Sequence, residues 1–155
     1  MKKSFFYFLP LLLALVFSSC SKNNEGPAAD DGLFVTCTMN GEAFKAEGLY
    51  AYAVDWDDSY NVYGITVDDI TMYVAIDQSI TDGTHAFNGE TTFAIISREG
   101  GKSYSTLYEG GEGQVTVTER TATTVKGSFQ FTAVETDDSG EKLVVENGKF
   151  QVKFR

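Results

Sequence analysis

Twenty-two carboxylates, one histidine and two cysteines are among the ionisable and nucleophilic groups with which this 155-residue chain could do chemistry. Asp55, Asp57, Ser59 and Asn61 stand at alternate positions, as do the oxygen ligands of a calcium loop. That loop also needs a glycine at its sharp turn and a bidentate glutamate at its end. Tyr60 and Thr66 stand in those places. The pattern therefore admits two readings, calcium held at Asp55 and Asp57 or an acidic turn between strands. A second acidic group, Asp137, Asp138 and Glu141, has the Asp and Gly content of a hairpin turn. No other cofactor is expected.

Tyr50, Tyr52 and Trp56 share a parity with Val54, so an extended chain puts them on one face. Exposed, with Tyr60 and Tyr63 nearby in sequence, they would form an aromatic platform able to stack on sugar rings; buried, they would be core or cross-strand packing. These three are the candidate ligand-binding residues.

Enzyme motifs are poorly supplied. Gly101-Lys102-Ser103 copies the end of a phosphate-binding loop, but Ile96 stands where its first glycine belongs, and the segment lies between strands rather than before a helix. His85 has no Gly-x-Ser-x-Gly segment to pair with. Paired carboxylates could work as acid and base, yet so many acids give no particular pair. The chain is read as no enzyme, with no catalytic residue.

Lys2 and Lys3, an apolar run from Phe5 to Phe17 broken only by Pro10, and Ser18-Ser19-Cys20 follow the layout of a secretory leader. Thirteen residues as helix would reach about 20 Å, short of the ~30 Å apolar core of a bilayer. The segment is thus an export signal rather than a span. A cysteine directly after two serines resembles the lipobox of bacterial lipoproteins, where signal peptidase II cleaves before a diacylated cysteine. Phe17 takes the place usually held by leucine and is too large for the −3 site of signal peptidase I. Residues 1–19 are read as leader, and Cys20 as the lipidated mature N-terminus, anchored in the membrane through its acyl chains (palmitate type).

With Cys20 acylated, Cys37 has no disulfide partner and reads as a buried, inert thiol. Residues 20–32 are polar, rich in turn formers and without periodicity, and read as a tether.

The elements that must position these residues are strands. Glycine is frequent and proline scarce, while Val, Thr, Tyr and Phe are common, which favours strands over a helical bundle. Residues 33–155 form one domain: Leu33–Met39 and Ala43–Ala46 joined by the type I′ pair Asn40-Gly41, then Leu49–Trp56, apolar on both faces as in a central strand. Val62–Val67, Ile70–Ile76, Thr91–Ser97, Ser103–Leu107, Gly113–Thr118, Val125–Ala133 and Leu143–Phe154 follow. The last two alternate inward aromatics and valines with outward polar residues. About ten short strands predict an all-β fold, an antiparallel β-sandwich or flattened barrel.

The net charge of −10 hides a division. Without Lys2 and Lys3, ten bases face 22 acids, leaving −12 on the body, which excludes binding to a phosphate backbone.

Met39-Asn40-Gly41 with Phe44-Lys45-Ala46, Val125-Lys126-Gly127-Ser128-Phe129-Gln130-Phe131, and Glu146-Asn147-Gly148-Lys149-Phe150 resemble a group of small Bacteroidota lipoproteins catalogued as a domain of unknown function. The resemblance implies an all-β exported lipoprotein of the outer membrane, facing periplasm or cell surface, and supplies no catalytic residue. Acidic residues after the lipidated cysteine, here Glu25, Asp30 and Asp31, accompany surface display in that phylum. The expected function is a non-catalytic binding or envelope-interaction module. Its partner is a glycan met by the aromatic face or an envelope protein joined through a sheet edge.

Overall fold

In the computed structural model, which describes residues 32–137 and 139–155, Asn40 and Gly41 have φ of 49° and 86°. Two successive positive φ values make the type I′ turn whose twist matches a hairpin. It joins β1 (Phe34–Met39) to β2 (Glu42–Glu47) with Met39 opposite Glu42. A single 3₁₀ turn, Gly48–Tyr50, leads into β3 (Ala51–Trp56), β4 (Ser59–Ile65) and β5 (Ile70–Asp77). The chain continues through β6 (Gly83–Ala86), β7 (Phe93–Arg98), β8 (Ser103–Ser105), β9 (Glu112–Arg120), β10 (Thr124–Glu135) and β11 (Lys142–Lys153). The expected leader, Cys20 and the tether through residue 31 lie outside the described residues.

All eleven strands belong to one sheet, ordered β2-β1-β11-β10-β8-β7-β5-β4-β3, with β9 on β10 and β6 on β9. Every strand pair is antiparallel. Two long strands bend this sheet into two layers. β10 pairs with β9 from Val125 to Thr132 and with β8 at Val134 and Glu135. β11 pairs with β1 as far as Gln151, and beyond it Phe154 bridges in parallel to Ala53 on β3. The Arg155 N–H donates to the Ala53 carbonyl at 3.0 Å. The flattened barrel is thereby nearly closed.

The core follows the period-two pattern. Met72, Val74 and Ile76 of β5, Val115 and Val117 of β9, and Val125, Phe129, Phe131 and Ala133 of β10 point between the layers. Three glycines make room for close neighbours, Gly64 between the layers and Gly127 and Gly148 between paired strands. A Cβ on Gly64 would lie 3.0 Å from Val35 and Phe44 of the opposite layer. On Gly127 and Gly148 it would fall among the Phe150 and Phe129 rings, which lie over the bare backbone.

Some expectations needed correction. Residues 49 and 50 belong to the 3₁₀ turn, and β3 ends the hydrogen-bonded order rather than sitting at its centre. Its inner residues, Ala51 and Ala53, are fully buried but small, so the larger side chains of the strand face out. β4 starts three residues before Val62 because Ser59 and Tyr60 already pair with Asp77 and Ile76. β6 is a strand of weak intrinsic propensity, Gly-Thr-His-Ala, fixed by its pairing with β9.

Candidate functional site

On β3 the parity that buries Ala51 and Ala53 turns Tyr52, Val54 and Trp56 outward. Register extends this row across the layer, with Tyr52 opposite Tyr63 and Tyr63 opposite Tyr73. The rings are in contact. Tyr52 and Tyr63 stack with centroids 5.1 Å apart, Tyr63 and Tyr73 lie at 5.5 Å, and Phe93 of β7 meets Tyr73 edge-on at 5.9 Å. Partial burial is the largest cause raising the Tyr63 and Tyr73 phenol pKa values, with a smaller contribution from the neighbouring tyrosine. The result is an aromatic row on the outside of the barrel, its rings in mutual contact and partly buried.

The three predicted platform residues do not form one surface. Tyr52 is enclosed, with Tyr63 on one ring face and the Arg155 guanidinium 3.9 Å from its centroid. Tyr50 sits in the 3₁₀ turn, half exposed, at one end of β3. Trp56 is 64% exposed at the other end, roughly 17 Å from Ala51 at ~3.4 Å per residue. Trp56 is therefore exposed at the end of β3, four residues beyond the row.

Asp55 lies on β3, and Asp57 in the turn that follows it. Asp57 occupies the two-residue β3–β4 turn with φ of 44°. Asp55 shares the inner parity of β3 and reaches the rim of the barrel, where its Oδ1 accepts from the Gln78 amide at 3.4 Å and lies 3.8 Å from Arg120. Arg120 in turn lies over the Tyr60 ring at 4.3 Å and donates to the Gln78 side-chain carbonyl at 2.8 Å. Burial pushes the Tyr60 phenol up to about 12, opposed by Arg120. Asp55 thus serves a network that plugs one end of the core. Among the described residues no three His, Cys, Asp or Glu side chains gather as a metal set.

The opposite rim holds a cluster that spacing did not reveal. Lys102 Nζ donates to Glu135 Oε2 at 2.8 Å and to Glu141. Tyr104 donates to Glu141 at 2.8 Å, and Ser139 donates to Glu135 at 2.7 Å. Glu135 is buried, so Lys102 and Ser139 replace its lost water. The lysine that imitates a phosphate loop is therefore committed to two carboxylates. Beside it, a groove of about 560 Å³ runs between β2 and the β4–β5 and β7–β8 turns, with Phe44, Ile70 and Ile96 in its floor and Glu42, Arg98 and Lys102 along its sides.

The remaining candidates have local roles. The His85 ring nitrogen shares a hydrogen bond of 2.8 Å with the Asp82 carbonyl. Cys37 is buried, which pushes its thiol up to about 12. Tyr73 and Phe93 were not singled out by sequence reading, and Tyr63 only as a sequence neighbour of the β3 aromatics. Each sits outward on a strand whose inner neighbours are aliphatic, a parity signal visible within each strand but not across strands.

No curated protein and no solved structure matches the chain. A family model described as "Domain of unknown function (DUF6252)" matches residues 34–152, a span that begins with β1 and ends within β11. The turn and strand motifs around Asn40-Gly41, Gly127 and Asn147-Gly148 all fall inside it, and the chain belongs to the DUF6252 family.

Proposed function

We propose that this protein is an exported, non-catalytic binding module, anchored to the cell envelope by lipid on Cys20 and meeting its ligand with the outer face of β3, β4, β5 and β7. The aromatic row on that face carries the reading. Apolar side chains in period two normally enter a core, and here the core positions of β3 are filled by alanines while the rings face outward. A contiguous apolar surface of this kind marks an interaction site. The tyrosine hydroxyls of the row and the exposed indole of Trp56 at the end of β3 suit a glycan chain, whose C–H faces stack on Trp56 and whose hydroxyls meet the tyrosines.

Titrating the protein with a panel of glycans while following Trp56 fluorescence tests this directly. At least one glycan should shift the emission, and Trp56→Ala should weaken its binding about tenfold, a loss of ~1.4 kcal/mol. A flat response across the panel removes the glycan reading.

A second reading rests on β2, which pairs on one side only and borders the 560 Å³ groove. An envelope protein could add a strand there. Slowed hydrogen exchange in β2 on adding envelope extract would favour it, and unchanged exchange would count against it.

A further inference from the structure

We infer that the corner of the barrel where the chain from Cys20 joins the domain is a membrane-contacting surface, which lays the domain against a zwitterionic phospholipid bilayer with Trp56 held away from it. This inference rests on the lipid anchor proposed above. It begins from where the chain joins the fold. The Leu33 carbonyl accepts the Gly48 N–H at 3.0 Å, so the tether meets the domain beside the 3₁₀ turn. That turn projects Leu49, which is 82% exposed, and Tyr50, which is 53% exposed. The register of Ala51 with Gly64 brings the β4–β5 turn to the same end of the layer, and its Val67 is 86% exposed. Leu49 and Tyr50 thus flank the point of attachment, and Val67 lies at the same end of the β3–β4–β5 layer.

Their polar company fits a bilayer interface. Arg155 donates to the Leu49 carbonyl and places its guanidinium over Tyr52. A cation and a half-exposed tyrosine above apolar tips make the pairing found at headgroup level. The acids at this corner are Glu47, tied to Lys45 at 2.7 Å, Asp68 and Asp69 of the β4–β5 turn, Glu99, whose N–H donates to the Asp69 carbonyl, and Glu42 across the groove from Asp68. They disfavour anionic lipid, so the surface is assigned to zwitterionic headgroups. The chain from Cys20 to Gly32 spans at most about 40 Å even fully extended. A lipid-held Cys20 therefore keeps this corner at high local concentration near the bilayer, where weak apolar contacts suffice.

The test uses the full chain, expressed with its own leader and reconstituted into vesicles of phosphatidylcholine and phosphatidylethanolamine containing brominated phosphatidylcholine. Leu49→Trp and, separately, Val67→Trp are made in a Trp56→Phe background, and the natural chain reports from Trp56. Each introduced indole should lose about half its emission to bromine and shift to the blue, with Trp56 unaffected in the natural chain. Equal quenching at both ends of β3, quenching of Trp56 alone, or no quenching at positions 49 and 67 overturns the inference.

Flotation of the natural chain with vesicles reports the anchor separately. If it fails to float, the anchor reading fails. The same variants coupled through Cys20 to a maleimide phospholipid then test the corner by itself. Cys37 stays unlabelled in that coupling because it is buried and its thiol is pushed up to about 12.

Discussion

Lys102 is the residue where charge and burial meet most closely. Hydrogen bonds to Glu135 and then Glu141 raise its amine above the ordinary lysine value, and the Lys102 and Tyr104 hydrogen bonds hold the Glu141 carboxyl below the ordinary glutamate value. A raised amine contributes stability that is full below its unfolded pKa, about 10.4, and is lost as pH rises through the folded value. A lowered carboxyl contributes stability that is present above its unfolded pKa, about 4.3, and is lost as pH falls through the folded value. The cluster therefore holds across neutral pH and loosens at both extremes. Lys102→Met leaves Glu135 buried with only Ser139 as a partner. It should lower the Tm by about 5 °C at neutral pH. Melting curves of the variant and the natural chain check it, and an unchanged Tm would show that Lys102 does not compensate the burial of Glu135. Cys37 makes a simpler prediction: its thiol should not react with a maleimide in the native protein and should react fully in denaturant.

Among the elements, β10 and β11 show how glycine and phenylalanine divide one task. A Cβ on Gly127 would come within 2.2 Å of the Thr116 backbone oxygen and 2.6 Å of the Phe150 ring, whereas on Gly64 the nearest atoms are side chains at 3.0 Å. Backbone in a paired strand cannot move aside as a side chain can. Gly127→Ala should then cost about 3 kcal/mol and Gly64→Ala about 1 kcal/mol in denaturant unfolding. The reverse order would mean that the layers, not the β9–β10 pair, set the limit. The alternation of these long strands was readable from the sequence, because Phe129, Phe131, Phe150 and Val152 are large enough to mark an inward face. β3 was not readable in the same way. Ala51 and Ala53 occupy the core yet carry too little apolar bulk to declare it, so Tyr52 and Trp56 gave the strand two faces of apparently equal weight. Nor could spacing show that Tyr63 and Tyr73 lie beside Tyr52, or that Lys102 meets Glu135 thirty-three positions away. Those pairings depend on register, which the turns and the core fix together.

At the scale of the molecule, β3 joins the two surfaces assigned above, with Leu49 and Tyr50 just before one end and Trp56 at the other. An anchored domain contacting lipid at the first end would present the second, with the outer aromatic row between them. The acidic body suits this arrangement, since like charge keeps neighbouring copies apart on a crowded surface. The family match covers almost the whole sheet, so the architecture that separates the two ends belongs to the matched region and not to its flanks.

The closure between β3 and the end of β11 differs from every other junction in the sheet. Neighbouring strands elsewhere share ladders of two or more residue pairs, while here a single bridge at Ala53 and Phe154 and one amide from Arg155 complete the ring. Such a junction behaves as a latch. It gives the domain a low-cost opening that leaves the ladders on either side intact. The Arg155 amide should exchange with deuterium far ahead of the β10–β11 amides, and Phe154→Ala should hasten its exchange without changing theirs. A barrel latched in this way can admit strain at one seam without unfolding as a whole.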